Sequence, residues 1–372
     1  MKNSADFIII GAGIMGLAIA RELKIQFPHA NILMFEKEKQ IGLHSSGRNS
    51  GVLHSGIYYP ENSFKAKVCA DGAIAMANYC EQHKLPINRL GKIILPTQCT
   101  QEDQLELLYQ RARNNNARVE IIDEIQLKAI EPEANSATGK ALWCPDTAVI
   151  NSKAILSHLA ASLENIGVTI KFQSKLEHVL PNNGIRLNGT DYYYQHLFNT
   201  TGLNADVVAI KFGIADKYTI LPFKGTYYRL DSQANITINK LIYPVPDLNV
   251  PFLGVHFTKL INGDVMVGPS AIPVLGRENY RGLKGINWED GKSILFNLFK
   301  LYVRNQQGFR NYAHTEITRI FKSRFTEAAR TMIPKINIEN LLPSDKVGIR
   351  AQLFSIAVVS SGDRIESALG KP

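Results

Sequence analysis

Cysteine is scarce in this sequence, and the few cysteines that occur are scattered. Cys69, Cys80, Cys99 and Cys144 form no CxxC pair, and no histidine stands at the spacing that zinc ligands use. We therefore predict no metal site. Isolated thiols in a long chain are typical of free, buried cysteines in a reducing compartment, so we expect a cytoplasmic protein.

Long apolar runs are absent as well. No stretch reaches the roughly eighteen consecutive apolar residues that a membrane-spanning helix needs. The apolar segment 7–20 follows Asp6, is interrupted by glycine, and is not followed by a small-residue cleavage site, which argues against a signal peptide. We expect this segment to form the first strand and helix of the fold instead.

The remaining composition is that of an ordinary globular protein. Of the 372 residues, 45% are hydrophobic and 20% are charged, which excludes a disordered or collagen-like chain and supplies apolar side chains for a large core. The formal net charge is +9, but residues 300–335 alone hold eight Lys or Arg against Glu316 and Glu327. No nucleic-acid-binding module is recognisable, so we expect no nucleic acid partner.

The first forty residues carry the pattern of a dinucleotide-binding unit. A β-branched strand over 6–10 leads into the sequence GAGIMG, a helix follows, and a second strand over 31–35 ends at Glu36. Gly11 permits the tight turn, Gly13 lets the backbone approach a pyrophosphate, and Gly16 lets helix and strand pack closely. The helix N-terminus offers free N–H groups to phosphate oxygens. Glu36 can accept hydrogen bonds from both ribose hydroxyls and disfavours a 2′-phosphate, so NADP is not expected.

The glycine motif alone does not distinguish FAD from NAD, because both carry an ADP half. A loop of small polar residues follows at 45–51, SSGRNSG. Its donors suit a segment that lies along a pyrophosphate and a flavin, which an NAD dehydrogenase does not need at this point, so the sequence favours FAD. We expect the cofactor-binding residues to be Gly11, Gly13, Ile14, Met15, Gly16, Glu36, Lys37, Ser46, Arg48, Asn49, Ser50, Gly51, Leu176, Thr201 and Gly202.

The segment 48–59, RNSGVLHSGIYY, resembles the FAD-dependent L-2-hydroxyglutarate dehydrogenases and oxidases of the D-amino-acid-oxidase-like superfamily. Matching segments follow in order to about residue 353: GK at 91–92, NTTGLNAD at 199–206, PFKGTYY at 222–228, YPVP at 243–246, FLGVHFT at 252–258, GP at 268–269 and GIRAQ at 348–352. The resemblance implies oxidation of L-2-hydroxyglutarate to 2-oxoglutarate by hydride transfer from C2 to flavin N5, with quinone or oxygen as electron acceptor. A related flavin oxidase of an amino acid or another 2-hydroxy acid is the alternative.

Oxidation of a 2-hydroxy acid needs a base for the hydroxyl proton and cations for the carboxylates. His54 and His256 lie in segments that match the family, and we expect one to be the base and the other a hydrogen-bond donor, in an order that stays open. Arg350 resembles the carboxylate-binding arginine of the superfamily. Lys224 and Tyr227 are candidates for the distal carboxylate. The predicted catalytic residues are thus His54, His256 and Arg350, and the substrate-binding residues are Lys224, Tyr227, His256 and Arg350.

The order of predicted strands and helices favours an α/β fold. We expect a Rossmann-like FAD-binding domain with a parallel sheet, interleaved with an α+β substrate domain that has a mostly antiparallel sheet. Residues 1–90, 145–215 and 336–372 are assigned to the FAD-binding domain. Residues 91–144 and 216–335 are assigned to the substrate domain.

The resemblance stops after about Leu353. Family members continue with a strand pair, a glycine- and serine-rich turn and a final helix that lie against the flavin, whereas residues 354–372 show no match. We expect a divergent or truncated tail. A catalytically silent protein with the FAD fold is therefore a further alternative.

The segment 293–335 combines apolar and basic residues. It begins SILFNLFKLYVR and continues with Arg310, Arg319, Lys322 and Arg324. Apolar side chains beside several cations suit an interfacial helix pressed against anionic lipid. Two interpretations stay open: peripheral contact with the inner face of the cytoplasmic membrane, or a helix packed on its own domain with a solvated basic face.

Overall fold

The first three elements form as the sequence predicts. The computed structural model describes residues 3–248, 253–305 and 309–355, and begins with β1 at Ser4–Ile10, α1 at Ile14–Gln26 and β2 at Ile32–Phe35. Gly11 joins β1 to α1 at a φ of +104°, which a side chain would strain. At Gly16 an added Cβ would lie 2.1 Å from the carbonyl oxygen of Gly11. Glycine at 16 therefore allows α1 to pack on β1.

The first sheet combines β1 and β2 with β9 (Val168–Lys171), β10 (Leu176–Leu180), β11 (Gly184–Leu187) and β12 (Thr190–Asn199). Its strand order is β10-β11-β12-β1-β2-β9. The pairs β12–β1, β1–β2 and β2–β9 are parallel, whereas β10, β11 and β12 pair in antiparallel fashion. The prediction of a Rossmann-like parallel sheet is confirmed, with an antiparallel extension at one edge.

Both faces of this sheet are buried, as the continuous apolar run of β1 requires. Ile9 packs with Leu17 of α1 and with α5 (Ser152–Asn165) on one face. On the other face, Ile8 packs with Val208 of α6 (Ala205–Lys211). The sheet is therefore fixed between helices, with the carboxyl ends of β1 and β2 at a common edge.

The second sheet has nine strands and is antiparallel except for one pair. Its strands are β5 (Lys92–Leu95), β6 (Glu120–Asp123), β7 (Lys140–Cys144), β13 (Tyr218–Leu230), β14 (Leu241–Pro244), β15 (His256–Lys259), β16 (Val265–Gly268), β17 (Ile272–Pro273) and β18 (Leu341–Ser355). The order is β17-β13-β16-β15-β14-β5-β7-β6, with β18 also paired to β13, and only β5–β14 is parallel. The predicted, mostly antiparallel second sheet is confirmed.

The remaining elements cover the second sheet or connect the two. A small sheet joins β3 (Val52–Leu53), β8 (Ala148–Ile150) and β4 (Ile87–Asn88), in that order. The other helices are α2 (Phe64–Gln82), α3 (Glu102–Asn114), α4 (Glu124–Ile130), α7 (Trp288–Arg304), α8 (Phe309–Thr318) and α9 (Lys322–Arg330). One face of the nine-stranded sheet packs on α3 and the other on α9.

β18 lies in the region 336–372 that the sequence analysis assigned to the FAD-binding domain, and that division of the chain stays a prediction. This strand pairs with β13 in the nine-stranded sheet, from Tyr218 opposite Ser355 to Leu230 opposite Leu341. An added Cβ at Gly348 would lie 2.5 Å from the carbonyl oxygen of Arg48, so β18 also passes directly against the loop that follows the glycine motif. Residues 356–372, and with them most of the expected divergent tail, lie outside the described residues.

The four thiols are free, as expected, but they are not all buried. Cys80 and Cys144 are buried, Cys69 is half-buried and Cys99 is exposed. The prediction of buried cysteines is therefore wrong for Cys99.

A buried ion pair ties the cofactor side of the molecule to the nine-stranded sheet. Asp206 of α6 accepts hydrogen bonds from both terminal nitrogens of Arg277, at 2.7 and 2.8 Å, and from the backbone N–H of Ile220 in β13, at 2.8 Å. The two side chains are only 3% and 8% exposed. Because the pair is bidentate and desolvated, neither charge tolerates the loss of the other.

Arg277→Met should therefore destabilise the fold by about 3–5 kcal/mol, because it leaves Asp206 buried without a counter-charge. The measurement is the free energy of unfolding from urea titration. Arg186→Met is the matched control, since the Arg186–Asp191 pair is also bidentate but its side chains are 42% and 34% exposed; it should change stability far less. Equal effects of the two substitutions would contradict the argument.

Candidate active site

A cavity of about 590 Å³ opens where β1 and β2 end. This is the edge at which parallel α/β sheets bind dinucleotides. Its lining contains eight of the predicted cofactor-binding residues, namely Gly11, Gly13, Glu36, Lys37, Ser46, Leu176, Thr201 and Gly202. Sequence analysis missed other lining residues such as Ser174 and Val208, which reach the cavity only because distant strands and α6 meet there.

Glu36 is held in place at the end of β2. Its Oε2 accepts the backbone N–H of Ala12 at 3.0 Å, and its Oε1 accepts that of Glu38 at 3.0 Å. Each carboxylate oxygen keeps a further lone pair for a hydroxyl donor. The side chain is therefore fixed in an arrangement that fits a ribose.

The N-terminus of α1 is open on the cavity side. Gly13 is the N-cap residue and provides no side-chain cap, while the N–H of Ile14 donates to Ser46 Oγ at 3.0 Å. An added Cβ at Gly13 would meet that same Oγ at 3.0 Å. The glycine thus keeps backbone N–H groups within reach of a phosphate. The Met15 side chain is 63% exposed and lies outside the lining, so the structure does not bring this predicted residue to the cavity.

The loop 48–51 lies outside the cavity lining, next to the lining residues 42–46. The Nε of Arg48 donates to the carbonyl of Leu43 at 2.6 Å, and its guanidinium lies 4.2 Å from the ring centroid of Tyr280. The Asn49 amide donates to the carbonyl of Ser46 at 2.7 Å and accepts the N–H of Gly51 at 2.9 Å. Residues 48–51, including Ser50, do not line the cavity; Arg48 and Asn49 hold the backbone of the loop.

His44 has definite partners that sequence analysis did not foresee. Its Nδ1 lies 2.9 Å from the hydroxyl of Tyr280, and its Nε2 lies 2.9 Å from Oε1 of Glu38. The ligand atoms of Glu38, His44 and Glu278 lie within 4.8 Å of one another, but Lys37 forms ion pairs with both carboxylates. The hydrogen bond from Lys37 lowers the pKa of Glu38. The cluster is therefore an ion-pair network in which one lysine serves two carboxylates.

A second group of polar side chains crosses one face of the nine-stranded sheet. Lys92 of β5, Tyr243 of β14 and His256 of β15 come from adjacent strands. The Tyr243 ring stacks on His256 with centroids 4.0 Å apart, and His54 approaches Tyr243 edge-on at 6.1 Å. The structure thus brings the two predicted histidines to one tyrosine.

Both histidines are held neutral by their surroundings. Burial lowers the pKa of His54 to about 3 and that of His256 to about 4, and the positive charge of Lys92 contributes to both shifts. Nδ1 of His256 lies 2.8 Å from the carbonyl oxygen of Gly254. Because a carbonyl only accepts, Nδ1 carries the proton and Nε2 keeps its lone pair.

The predicted carboxylate-binding residues Lys224 and Arg350 lie on the paired strands β13 and β18. The charge of Arg350 acts on Tyr59 and Lys65, and the Nζ of Lys65 lies 4.4 Å from the Tyr59 ring centroid. In the register of β13 and β18, Lys224 is opposite Ile349 and Arg350 is opposite Phe223. Since side chains alternate along a strand, Lys224 and Arg350 project from opposite faces, and the structure does not bring these two predicted cations together.

Tyr227 lies within the second sheet beside Gly268. Burial raises the pKa of Tyr227 to about 12, so its phenol is protonated at neutral pH. The Nζ of Lys346 lies 6.0 Å from its ring centroid, and burial lowers the pKa of this lysine to about 8. Sequence analysis gave Lys346 no role, and its position next to Tyr227 depends on the unforeseen pairing of β18 with β13.

Lys92 and Tyr243 were also given no role, although both stand in segments that carry the family resemblance. The available signal in the sequence was a lysine at the start of the otherwise apolar run KIIL. In the structure all four residues of this strand, β5, are buried. A charged residue within a buried strand is rare enough to indicate a special function.

Comparison with known proteins agrees with this architecture. The family described as DAO, FAD dependent oxidoreductase, matches residues 6–362. L-2-hydroxyglutarate dehydrogenase of Escherichia coli strain K12 is 30% identical over 359 residues, covering 94% of this chain and 83% of that protein. The mitochondrial L-2-hydroxyglutarate dehydrogenase of Caenorhabditis elegans is 35% identical over 284 residues, but the match covers 74% of this chain and only 65% of that protein's length.

Solved structures share the fold. L-α-glycerophosphate oxidase of Mycoplasma pneumoniae, with FAD bound, superposes with a TM-score of 0.74 at 21% identity, covering 94% of this chain and 83% of that one. Glycine oxidase of Geobacillus kaustophilus gives a TM-score of 0.69 at 14% identity over the same shares of the two chains. Together with the family match over most of the chain and the glycine-lined cavity, these findings identify the chain as a member of the FAD-dependent oxidoreductase family, with FAD as its cofactor.

Proposed function

We propose that the chain oxidises L-2-hydroxyglutarate to 2-oxoglutarate. In this reaction C2 loses a hydride and the hydroxyl loses a proton. The proposal rests above all on His256, a buried imidazole whose tautomer is fixed with a free lone pair on Nε2, as the base of such a reaction requires. The names of the E. coli and C. elegans relatives supply the substrate.

The residues of the cavity fit FAD. Glu36 would accept from the ribose hydroxyls, while the backbone at Gly13 would approach the pyrophosphate. Leu176 and Thr201 would line the remainder of the dinucleotide site. Bound FAD supplies the acceptor for the hydride.

We assign the proton transfer to His256. Its Nε2 takes the hydroxyl proton of the substrate, and the carbonyl of Gly254 stabilises the imidazolium that forms through Nδ1–H. His54 lies beside Tyr243, and its buried Nδ1 has no hydrogen-bond partner within the described ranges, so we assign it to hydrogen bonding with the substrate. Arg350, beside Lys65 and Tyr59, would bind a carboxylate.

We further propose that α7 and α8 contact an anionic membrane surface. The inner side of α7 packs Ile294, Leu298 and Leu301 on the second sheet, yet its outer side exposes four more apolar residues: Leu295, Phe296, Phe299 and Val303 are 54–64% exposed. Lys292, Lys300 and Arg304 stand among them on the same helix. Apolar and basic side chains on one surface complement anionic lipid, and a quinone dissolved there would be an available electron acceptor. No helix among the described residues has the length and apolar character to cross a bilayer.

The first test is an anaerobic absorbance spectrum of the purified protein. We expect a visible flavin band that bleaches on addition of L-2-hydroxyglutarate and not on addition of its D-enantiomer, because a single base on one side of C2 selects one configuration. A band that persists would contradict the proposed substrate. Absence of the band would support the silent FAD-fold alternative.

His256→Gln should lower kcat/KM by about 100- to 10,000-fold, because the base is lost while the side-chain volume is largely kept. In the unsubstituted enzyme, kcat/KM should stay level from neutral pH downwards and fall only as the pH approaches about 4, where His256 becomes protonated. His178→Gln, at an exposed histidine, is the control and should change neither value. An acid limb near the ordinary histidine pKa would show that another group is the base.

The membrane proposal is tested by co-sedimentation with vesicles. The protein should bind phosphatidylglycerol-containing vesicles and not pure phosphatidylcholine, and Phe296→Ser with Phe299→Ser should weaken binding at least about tenfold. Ile125→Ser is the control, since Ile125 on α4 is 82% exposed but lies outside the basic segment. Equal binding to both lipids would refute the proposal.

A further inference from the structure

Lys92 is a fully buried lysine for which the described part of the chain provides no counter-charge. Its side chain is 0% exposed, and across the described residues its Nζ finds no hydrogen-bond partner. The Nζ lies 4.8 Å from the ring centroid of Tyr58 and 5.6 Å from that of Tyr243. Aromatic faces attract a cation, but they replace little of the hydration that a buried ammonium loses.

Two polar groups near Lys92 also have no partner among the described residues. The Tyr58 hydroxyl and Nδ1 of His54 are also buried without a hydrogen-bond partner among the described residues. Lys92 lies close enough to both His54 and His256 for its charge to act on them, and the groups that act on Lys92 itself are the thiols of Cys69 and Cys144 rather than carboxylates. An ammonium group beside a hydroxyl and an imidazole nitrogen that can both donate is the complement of an anion.

We propose that Lys92 is a substrate-binding residue whose ammonium group, together with the Tyr58 hydroxyl and His54, takes one carboxylate of the anionic substrate. The identity of that anion, a five-carbon dicarboxylate, rests on the proposed function. The anion would supply the acceptor that all three side chains lack.

The second carboxylate of the substrate would bind the cations around Tyr59. Tyr59 follows Tyr58 in the chain, and the cations Lys65 and Arg350 act on it, with the Nζ of Lys65 4.4 Å from its ring centroid. Cations therefore contact both residues of the segment 58–59: Lys92 lies over the ring of Tyr58, and Lys65 lies over that of Tyr59. This arrangement selects an anion with two carboxylates over one with a single carboxylate.

The test compares glutarate with butyrate, which have two and one carboxylates and lack the hydroxyl that is oxidised. Calorimetric titration of the holoenzyme should give tighter binding of glutarate. Lys92→Met, which keeps the length of the side chain and removes its charge, should lower the ratio of glutarate to butyrate affinity at least about 30-fold. Flavin content and melting temperature should be retained, because an apolar side chain suits the buried position.

Lys240→Met is the matched control. Lys240 is half-buried beside the same sheet with its Nζ 5.5 Å from the ring centroid of Trp143, and its loss should leave the affinity ratio unchanged. An unchanged ratio in Lys92→Met would overturn the proposal. Loss of bound flavin with a retained ratio would also overturn it, since the missing acceptor would then be the cofactor.

Tyr58→Phe is the second test variant, and it decides the question if Lys92→Met does not fold. It removes one hydroxyl and preserves the ring, so the ratio should fall about three- to tenfold, and an unchanged ratio would again refute the assignment. The result is separable from the proposed function. Glutarate binding that depends on Lys92, in a protein whose flavin L-2-hydroxyglutarate does not bleach, would retain the anion site and discard the substrate.

Discussion

Loss of water around a few ionisable side chains is the constraint on which the chemistry of this protein depends. The face of the nine-stranded sheet that carries Lys92, Tyr243 and His256 packs against α3 and the segment 57–58. Burial there disfavours the charged forms of both histidines, so they stay neutral and able to accept a proton. The apolar packing that stabilises the fold therefore also prepares the base.

The two sheets must be held in a fixed relation, because the proposed hydride transfer requires the substrate at near-attack distance from the cofactor. Two features provide that connection. Asp206 of α6 binds both Arg277 and the backbone of β13, and β18 passes against the carbonyl of Arg48. Each joins the dinucleotide side to the sheet that carries the proposed base.

Sequence could predict the dinucleotide half because its signals are local. Gly11, Gly13 and Gly16 stand at fixed spacing after a strand, and their geometry follows from that spacing. The group formed by Lys92, Tyr243 and His256 could not be predicted from local signals, because β5, β14 and β15 become neighbours only when the second sheet forms. The same holds for β18, whose pairing with β13 is long-range and carries no local signal. The resemblance identified His54 and His256 as candidates, but only the Gly254 carbonyl distinguishes their tautomers.

The balance of charge also argues for an anionic ligand beside Lys92. Where this protein buries Arg277, it provides Asp206 at bidentate distance, and where it buries Glu131, it provides two backbone N–H groups at 2.7 Å. Lys92 is also buried, and among the described residues it receives only aromatic faces and thiols. Methionine would fill the same space at lower desolvation cost, so packing alone does not require a lysine here. The exception is understandable if its partner arrives with the substrate.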